Sequence, residues 1–330
     1  MVTIRDVAKY ANVSVATVSR YLNKKGYVSK ETEKAVAEAI KALNYKPNSV
    51  ARSLYHKQSN MIGLLIPDIT NPFFPELARA VEDVSQAYGY TIVICNTDGD
   101  AEKEKRYIEA LKRKYIDGLI LATNELTAED YISYQLPLVM LDRSIGDKIP
   151  SVRSNNYESA KQATELLINR GSQFIAHIRG PRHVQTAEDR YRGFKDAVEE
   201  NKVAHIVVES GFDLEAAKIV TEQILTDYPM IDGIFASSDV MAAGAMKGIK
   251  SLSLSIPNDV QLVGFDGIPL SGMLIPSLTT VAQPIYKMGT LAARLLIKQI
   301  EKKPIKDYYY TLDTTLIERE TTRSEKNDQA

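Results

Sequence analysis

The chain has 330 residues, of which 44% are hydrophobic, and a formal net charge of −1. Such a length exceeds one ordinary domain, and the balanced composition excludes a disordered or collagen-like chain. A single cysteine, Cys95, excludes a disulfide framework and a multi-thiol metal site within one chain. Because the N-terminus is charged where a signal peptide is apolar, and no apolar run approaches ~18 residues, we expect a cytoplasmic protein that does not enter a membrane.

Charge is distributed unevenly along the chain. Residues 1–58 carry eleven lysines and arginines and four acidic residues, a net +7, whereas the remaining residues carry a net −8. Neutralising phosphates releases their condensed counterions, so a basic segment of this kind favours binding to a polyanion. A well-solvated helical domain that happens to be basic would show the same charge.

Capping residues and apolar periodicity predict short helices in this basic segment. A first helix begins after Thr3, and Ser14 and Ser29 precede helices over 15–22 and 30–43. Two helices joined by a turn of about three residues form a helix-turn-helix, whose second helix enters the major groove of DNA.

The chain beyond residue 58 alternates buried-strand runs with helices. One series begins with MIGLLIP and ends near Pro150, and a second begins with FIAHI. Two such series imply two doubly wound parallel-sheet subdomains, so we expect an α/β body behind a helix-turn-helix head. Segments over 308–312 and 316–318 are expected to add the last strands.

Two segments of the head carry a specific resemblance to a known family. TIRDVAKYANVSVATVSRYLN and, further on, YKPNSVARSL resemble the lactose-repressor (LacI/GalR) family of bacterial transcription factors in the order and spacing of their motifs. NKKGYVS and GFDG are most similar to sucrose-operon repressors, with the ribose-repressor branch next. The resemblance implies a repressor of a sugar-utilisation operon with a periplasmic-binding-protein-like body. The alternative is a sugar-binding receptor without a DNA function.

The resemblance also implies how the chain divides. Residues 49–54 resemble the hinge helix that family members insert into the minor groove, where Leu54 would wedge into a base step; the alternative is a plain interdomain linker. The expected boundaries are 1–46 for the head, 47–58 for the hinge and linker, and 59–330 for the body, with 59–155 and 283–306 in the first subdomain and 156–282 and 307–330 in the second.

Family members read bases with the second helix of the head. Here Val15 and Ala16 are small and apolar, which suits contact with thymine methyl groups, and Arg20 is the candidate donor to guanine. The alternative for Val15 is a place in the core of the head. The DNA-binding residues that the resemblance implies are Thr3, Val15, Ala16, Thr17, Ser19, Arg20, Asn23, Lys24, Tyr27, Ser49, Ala51, Arg52 and Leu54.

Ligands of doubly wound sheets bind beyond the carboxyl ends of the strands, and two facing lobes form a cleft there. The residues at these ends resemble the sugar cleft that the family shares with periplasmic sugar receptors. Either Phe73 or Phe74 faces the cleft, and Asp239 is equally suited to capping a helix. The expected effector-binding residues are Asn71, Phe73, Asp142, Arg143, Arg190, Phe212, Asp239, Asp266 and Gln283.

The sequence lacks the motifs of several enzyme classes. It has no Gly-rich dinucleotide or phosphate loop and no His-Glu-x-x-His, and its four histidines show no metal spacing. We therefore expect that the protein is not an enzyme and that it binds neither a cofactor nor a metal. We interpret His177 and Cys95 as residues of buried strands. The expected partners are palindromic operator DNA, a small sugar or sugar phosphate, and a second copy of the chain. Docking of a phosphocarrier protein stays open.

Overall fold

The computed structural model describes residues 2–24, 26–46, 58–123, 125–142 and 149–324 of the chain. The chain divides into two compact units, with the boundary between Ser59 and Asn60. The expected hinge residues Ser49, Ala51, Arg52 and Leu54 and the expected cleft residue Arg143 lie outside the described residues.

The first unit contains three helices, α1 (Ile4–Tyr10), α2 (Val15–Asn23) and α3 (Lys30–Ala42). The bounds of α2 and α3 agree with the predicted 15–22 and 30–43 to within one residue. A small core holds them together, with Val7, Val18 and Val36 fully buried at its centre. The spacing of these valines leaves the opposite sides of the helices in solvent.

Side chains fix the starts of these helices. The Ser14 hydroxyl accepts from the backbone N–H of Thr17 at 3.1 Å, and the Ser29 hydroxyl caps α3 in the same way. At α1 the Asp6 carboxylate accepts from both the backbone N–H and the hydroxyl of Thr3. A cap of this kind is worth about 1 kcal/mol, which matters for helices of two or three turns.

The second unit alternates strands and helices. Its strands are β1 (Met61–Ile66), β2 (Thr91–Asn96), β3 (Gly118–Leu121), β4 (Leu138–Leu141), β5 (Ser151–Ser154), β6 (Phe174–Arg179), β7 (Ala204–Glu209), β8 (Gly233–Ala236), β9 (Gln261–Asp266), β10 (Thr279–Ala282), β11 (Tyr309–Leu312) and β12 (Thr315–Ile317). Its helices are α4 (Phe73–Ala87), α5 (Ala101–Arg113), α6 (Ala128–Ser133), α7 (Asn156–Asn169), α8 (Gln185–Glu200), α9 (Leu214–Asp227), α10 (Asp239–Ser251), α11 (Leu270–Met273) and α12 (Ile285–Ile300).

The strands form two six-stranded sheets, which confirms the predicted fold class. The first sheet is parallel in the order β11-β5-β4-β3-β1-β2, with α4 and α12 packed on one face and α5 and α6 on the other. The second has the order β12-β10-β9-β8-β6-β7, in which only β12 is antiparallel to its neighbour. Helices α9 and α10 cover one of its faces and α7 and α8 the other. Strands buried on both faces explain the continuous apolar runs in the sequence.

One predicted boundary is wrong. Strand β11 pairs in parallel with β5 of the first sheet, although residues 307–330 were expected to lie in the second subdomain. The chain returns to the second sheet only with β12. The reason is that β11 pairs with a strand 158 residues earlier in the chain, a pairing that local periodicity does not reveal.

Helix α12 packs closely against α4. At Gly289 of α12, a Cβ would lie 2.8 Å from the Leu77 carbonyl oxygen. The glycine permits α12 to approach α4 closely. Among the helices of the described part of the chain, none is long and apolar enough to span a bilayer.

Candidate ligand cleft and nucleic-acid interface

A cavity of about 510 Å³ lies between the two sheets of the second unit. Its walls come from the carboxyl ends of strands in both sheets: Asp68 follows β1 and Asp142 follows β4, while Phe212 follows β7 and Asp266 ends β9. This is the position expected for the ligand of a doubly wound sheet. The volume falls in the range of small-molecule sites.

Most of the expected effector-binding residues meet at this cavity. Those that line it are Asn71, Phe73, Asp142, Arg190, Phe212, Asp266 and Gln283.

Asp239 does not line the cavity. It is fully buried, and its carboxylate accepts from the Thr280 hydroxyl at 2.5 Å and from the backbone N–H of Ile268 at 2.9 Å. The cap of α10 is the hydroxyl of Ser238, which accepts from the backbone N–H of Met241. Asp239 therefore holds the loop after β9 against β10, a role that neither of its sequence interpretations included.

Arg190 is the centre of a buried polar network. Only 3% exposed, it donates from Nε to Asn156 Oδ1 at 2.8 Å and from Nη1 to the carbonyl oxygen of Ser237 at 2.6 Å. Nη1 also lies 3.4 Å from Asp266 Oδ1, and the guanidinium carbon is 3.8 Å from the Phe265 ring centroid. These contacts fix the plane of the guanidinium, so its orientation exists before a ligand arrives.

Two carboxyl groups beside Arg190 have pKa values above the usual range for aspartate. Burial raises the pKa of Asp142 to about 6 and that of Asp266 to about 7, although Arg190 acts in the opposite direction on both. Oδ1 of Asp142 has no hydrogen-bond partner among the described residues. Both aspartates also have positive φ, 61° and 116°, a backbone conformation that side chains rarely adopt. Unpaired acceptors and local strain of this kind are typical of binding sites.

Aromatic rings supply the apolar part of the cavity. Phe73 and Phe74 both line it and pack edge to face with centroids 5.2 Å apart. Phe73 is 5% exposed and belongs to the core, whereas Phe74 is only partly buried. On the opposite wall Phe212 lies against Gly180, where a Cβ would collide with the ring.

Sequence reasoning missed several lining residues. Asp98 follows β2 and Thr123 follows β3, so the same strand-end rule would have found both. The Thr123 hydroxyl is buried and makes no hydrogen bond within the described residues. Glu125 and the start of α8 near His183 complete the wall, and no local motif marks them.

Several of the expected DNA-binding residues are exposed on the head. Val15 is 41% exposed, so it lies outside the core of the head, and Ala16, Arg20 and Lys24 are exposed as well. Tyr27 is 89% exposed.

Other members of the expected DNA-binding set are already engaged. The hydroxyl of Thr17 lies 2.8 Å from that of Ser14, and that of Thr3 donates to Asp6. Ser19 is half-buried, and the side chain of Asn23 is outside the described part. A phosphate contact by the Thr3 hydroxyl would therefore compete with its bond to Asp6, whereas the Thr17 hydroxyl can donate to a phosphate while it accepts from Ser14.

His177 is a core residue in the structure. It is fully buried, its ring stacks 4.8 Å from both Phe194 and Phe235, and Nδ1 lies 3.0 Å from the carbonyl oxygen of Phe235. Burial lowers its pKa to about 3, so the ring is neutral at physiological pH. No group of three or more potential metal-ligating side chains occurs in the described ranges.

Comparison with known families identifies both units. The model described as bacterial regulatory proteins, lacI family, matches residues 3–48, and that of the periplasmic binding protein-like domain matches residues 164–322. The fold and the cleft thus define a DNA-binding regulator whose body resembles a ligand receptor.

Relatives that align with nearly the whole chain establish its family. The chain is 62% identical to the ribose operon repressor of Halalkalibacterium halodurans, covering 100% of this chain and 99% of that protein. Identity is 43% with the ribose operon repressor of Bacillus subtilis (98% and 100% covered) and 36% with the sucrose operon repressor of Pediococcus pentosaceus (95% and 97%). The chain belongs to the lacI family of bacterial regulatory proteins and is a transcriptional regulator. Both branches expected from the sequence are among its relatives, the ribose repressors being more similar.

Solved structures of three regulators are similar to this chain in fold. The Lac repressor dimer bound to operator and the anti-inducer ONPF has a TM-score of 0.87 at 28% identity, covering 98% of this chain and 99% of that one. A regulator from Alkaliphilus metalliredigens complexed with D-xylulofuranose has a TM-score of 0.75 at 35% identity (81% and 100% covered). A LacI family regulator from Enterococcus faecium with bound ribose has a TM-score of 0.73 at 29% identity (80% and 98%).

Proposed function

We propose that this chain is the repressor of a ribose-utilisation operon and that D-ribose, bound in the cleft, lowers its affinity for operator DNA. The observation that carries the proposal is the 62% identity over the whole chain with a ribose operon repressor. The cleft has the chemistry for a sugar, because aromatic rings pack on the apolar face of a pyranose or furanose while carboxylates and a guanidinium bind its hydroxyls. Release by the sugar is the direction that suits an operon for its use.

The charges of the cleft favour a free sugar over a phosphorylated one. Among the described residues, five acidic residues line it against a single arginine, and Lys103 pairs with Asp98. The acidic residues are Asp68, Asp98, Glu125, Asp142 and Asp266. A phosphate about 5 Å from one unpaired carboxylate would cost about 1–3 kcal/mol, whereas neutral hydroxyls donate to the same oxygens.

The regulator would act as a cytoplasmic homodimer. A two-fold dimer places two copies of α2 about one helical turn of DNA apart, which requires a palindromic operator. The Lac repressor dimer on its operator, which matches 98% of this chain, supports this arrangement. The proposal needs neither a phosphocarrier protein nor an enzymatic step.

Titration calorimetry of the full-length protein tests the choice of effector. D-Ribose is expected to bind at least about 10-fold more tightly than D-ribose 5-phosphate, in keeping with the charge cost above. Sucrose, which is twice the size, is the control for cavity volume. Equal or tighter binding of the phosphate, or binding of sucrose alone, would refute the proposed effector.

Ribose binding should weaken in acid. The hydroxyls of the sugar need ionised acceptors, and the pKa of Asp266 in the free protein is about 7. Because binding stabilises the ionised form, we expect the Kd to rise about 10-fold as the pH falls from 8 to 6. Calorimetry across this range measures the change, with Asp266→Asn expected to flatten it. A Kd that is constant, or that falls in acid, would contradict the assigned role of the carboxylate.

A further inference from the structure

Three segments of the chain cross between the two sheets, and side chains tie them together. The crossings follow β5, β10 and β11. The Ser154 hydroxyl at the first crossing donates to the side chain of Gln283 at the second, and Ser159 lies 2.6 Å from the Thr314 hydroxyl at the third. Any movement of one lobe relative to the other must pass through these segments.

Gln283 links the cleft to the first lobe, which is the half of the second unit built on the first sheet. Its Nε2 donates to Asp266 Oδ1 at 2.8 Å, and its Oε1 accepts from Ser154 Oγ at 2.5 Å. All three side chains are at most 7% exposed. When Asp266 is ionised the amide faces only this way, because the reverse orientation would place its oxygen against a carboxylate. Asp266 in turn contacts Arg190, so one hydrogen-bonded chain runs from the cleft to the end of β5.

We propose that Gln283 is the positioning residue that transmits occupancy of the cleft to the first lobe through Ser154. A ligand hydroxyl that donates to Asp266 competes with Nε2 of Gln283 for the same carboxylate. Gln283 then shifts, and the bond from its Oε1 to Ser154 changes with it. The proposal rests on the proposed function for the identity of the ligand, though not for the existence of the chain of bonds.

The end of β5 is suited to receive this signal. Val152 in the same strand accepts a backbone hydrogen bond from Asp142 at 2.8 Å, so a displacement of β5 also moves a carboxylate of the cleft. A displacement of β5 would therefore affect two crossings and two walls of the cavity together. Coupling between distant sites requires an element with two states, here one with the Ser154–Gln283 hydrogen bond made and one with it broken.

The chain offers a matched control within one strand. Ser151 begins β5 and is fully buried like Ser154, but its hydroxyl has no partner among the described residues. Replacement of either serine by alanine removes the same atom from the same strand. Only Ser154→Ala removes a bond between crossings.

The test compares full-length Ser154→Ala and Ser151→Ala proteins. For each, D-ribose affinity is measured by calorimetry, and operator affinity with and without saturating ribose by fluorescence anisotropy. We expect Ser154→Ala to keep the ribose Kd within about 3-fold while the ratio of the two operator affinities falls about 5-fold, roughly one hydrogen bond. Ser151→Ala should match the wild type. An unchanged ratio in Ser154→Ala, or an equal loss in Ser151→Ala, would overturn the proposal.

A second measurement does not depend on the ligand. The melting temperature is compared for Ser154→Ala, Gln283→Leu and the double variant. If the two side chains act as one unit, Ser154→Ala lowers the melting temperature in the wild type but not in the Gln283→Leu background. Additive shifts would show that the bond is not made and would overturn the relay. If wild-type operator binding ignored ribose, the proposed effector would fail while this cycle still decided the relay.

Discussion

Replacement of Arg190 by leucine is expected to lower the free energy of unfolding by about 3 kcal/mol and to remove measurable ribose binding. The variant leaves Asp266 without its cation and the oxygens of Asn156 and Ser237 without a donor, in a site that is almost entirely buried. Breaking a buried charge pair by removing one partner costs about 3–5 kcal/mol. Chemical denaturation and calorimetry of the full-length protein measure the two effects.

The cost of this substitution should depend on pH. Arg190 holds the pKa values of Asp142 and Asp266 below what burial alone would give. Below pH 5 both carboxyl groups are protonated even in the wild type, so the destabilisation should be smaller there than at pH 8. Arg192→Leu is the control, since Arg192 lies on the same helix, is 61% exposed and pairs with Asp189 only at 3.9 Å. Similar losses in the two variants would contradict the role given to Arg190.

Replacement of Arg20 by alanine is expected to weaken operator binding by about 10- to 100-fold, because a bidentate arginine–guanine contact is worth about 1–3 kcal/mol of discrimination. Arg20 is exposed at the end of α2, so the stability of the head should change by less than about 0.5 kcal/mol. Competition between operator and random DNA in an anisotropy assay measures the loss of specificity.

Lys24→Ala is the matched comparison for Arg20→Ala. Lys24 is also exposed and carries the same charge, but we expect it to contact phosphate. Its removal should weaken binding to operator and random DNA alike and lower the salt dependence by about one unit of slope. If Arg20→Ala also weakened both DNAs equally, Arg20 would hold phosphate, and the base-reading assignment would be wrong.

Local sequence patterns, such as helix caps and apolar runs, predicted much of this fold correctly. The caps at Ser14 and Ser29 and the apolar period placed the helices of the head to within a residue, because a short helix depends on interactions inside it. The long apolar runs placed β1 and β6 for a similar reason, since a strand covered on both faces has no polar side. The strand-end rule and the family resemblance together named seven residues that line one cavity: Asn71, Phe73, Asp142, Arg190, Phe212, Asp266 and Gln283.

Tertiary contacts decided the rest. Strand β5 has the sequence SVRS, which lacks an apolar run, and it forms a strand because β4 and β11 pair with it on both sides. Asp239 looks like a cap or a ligand in sequence, but its two partners come from a loop and a strand that fold back onto it. The bond between Ser154 and Gln283 joins residues 129 positions apart, and no pattern in the sequence announces it.

The central claim is that a sugar bound in the cleft of the second unit controls the affinity of the helix-turn-helix head for operator DNA. The most direct measurement is the affinity of the full-length protein for the operator of the proposed ribose operon, titrated with D-ribose at constant salt. We expect the operator affinity to fall about 5- to 150-fold at saturating ribose. An operator affinity that ribose leaves unchanged, or increases, would contradict it.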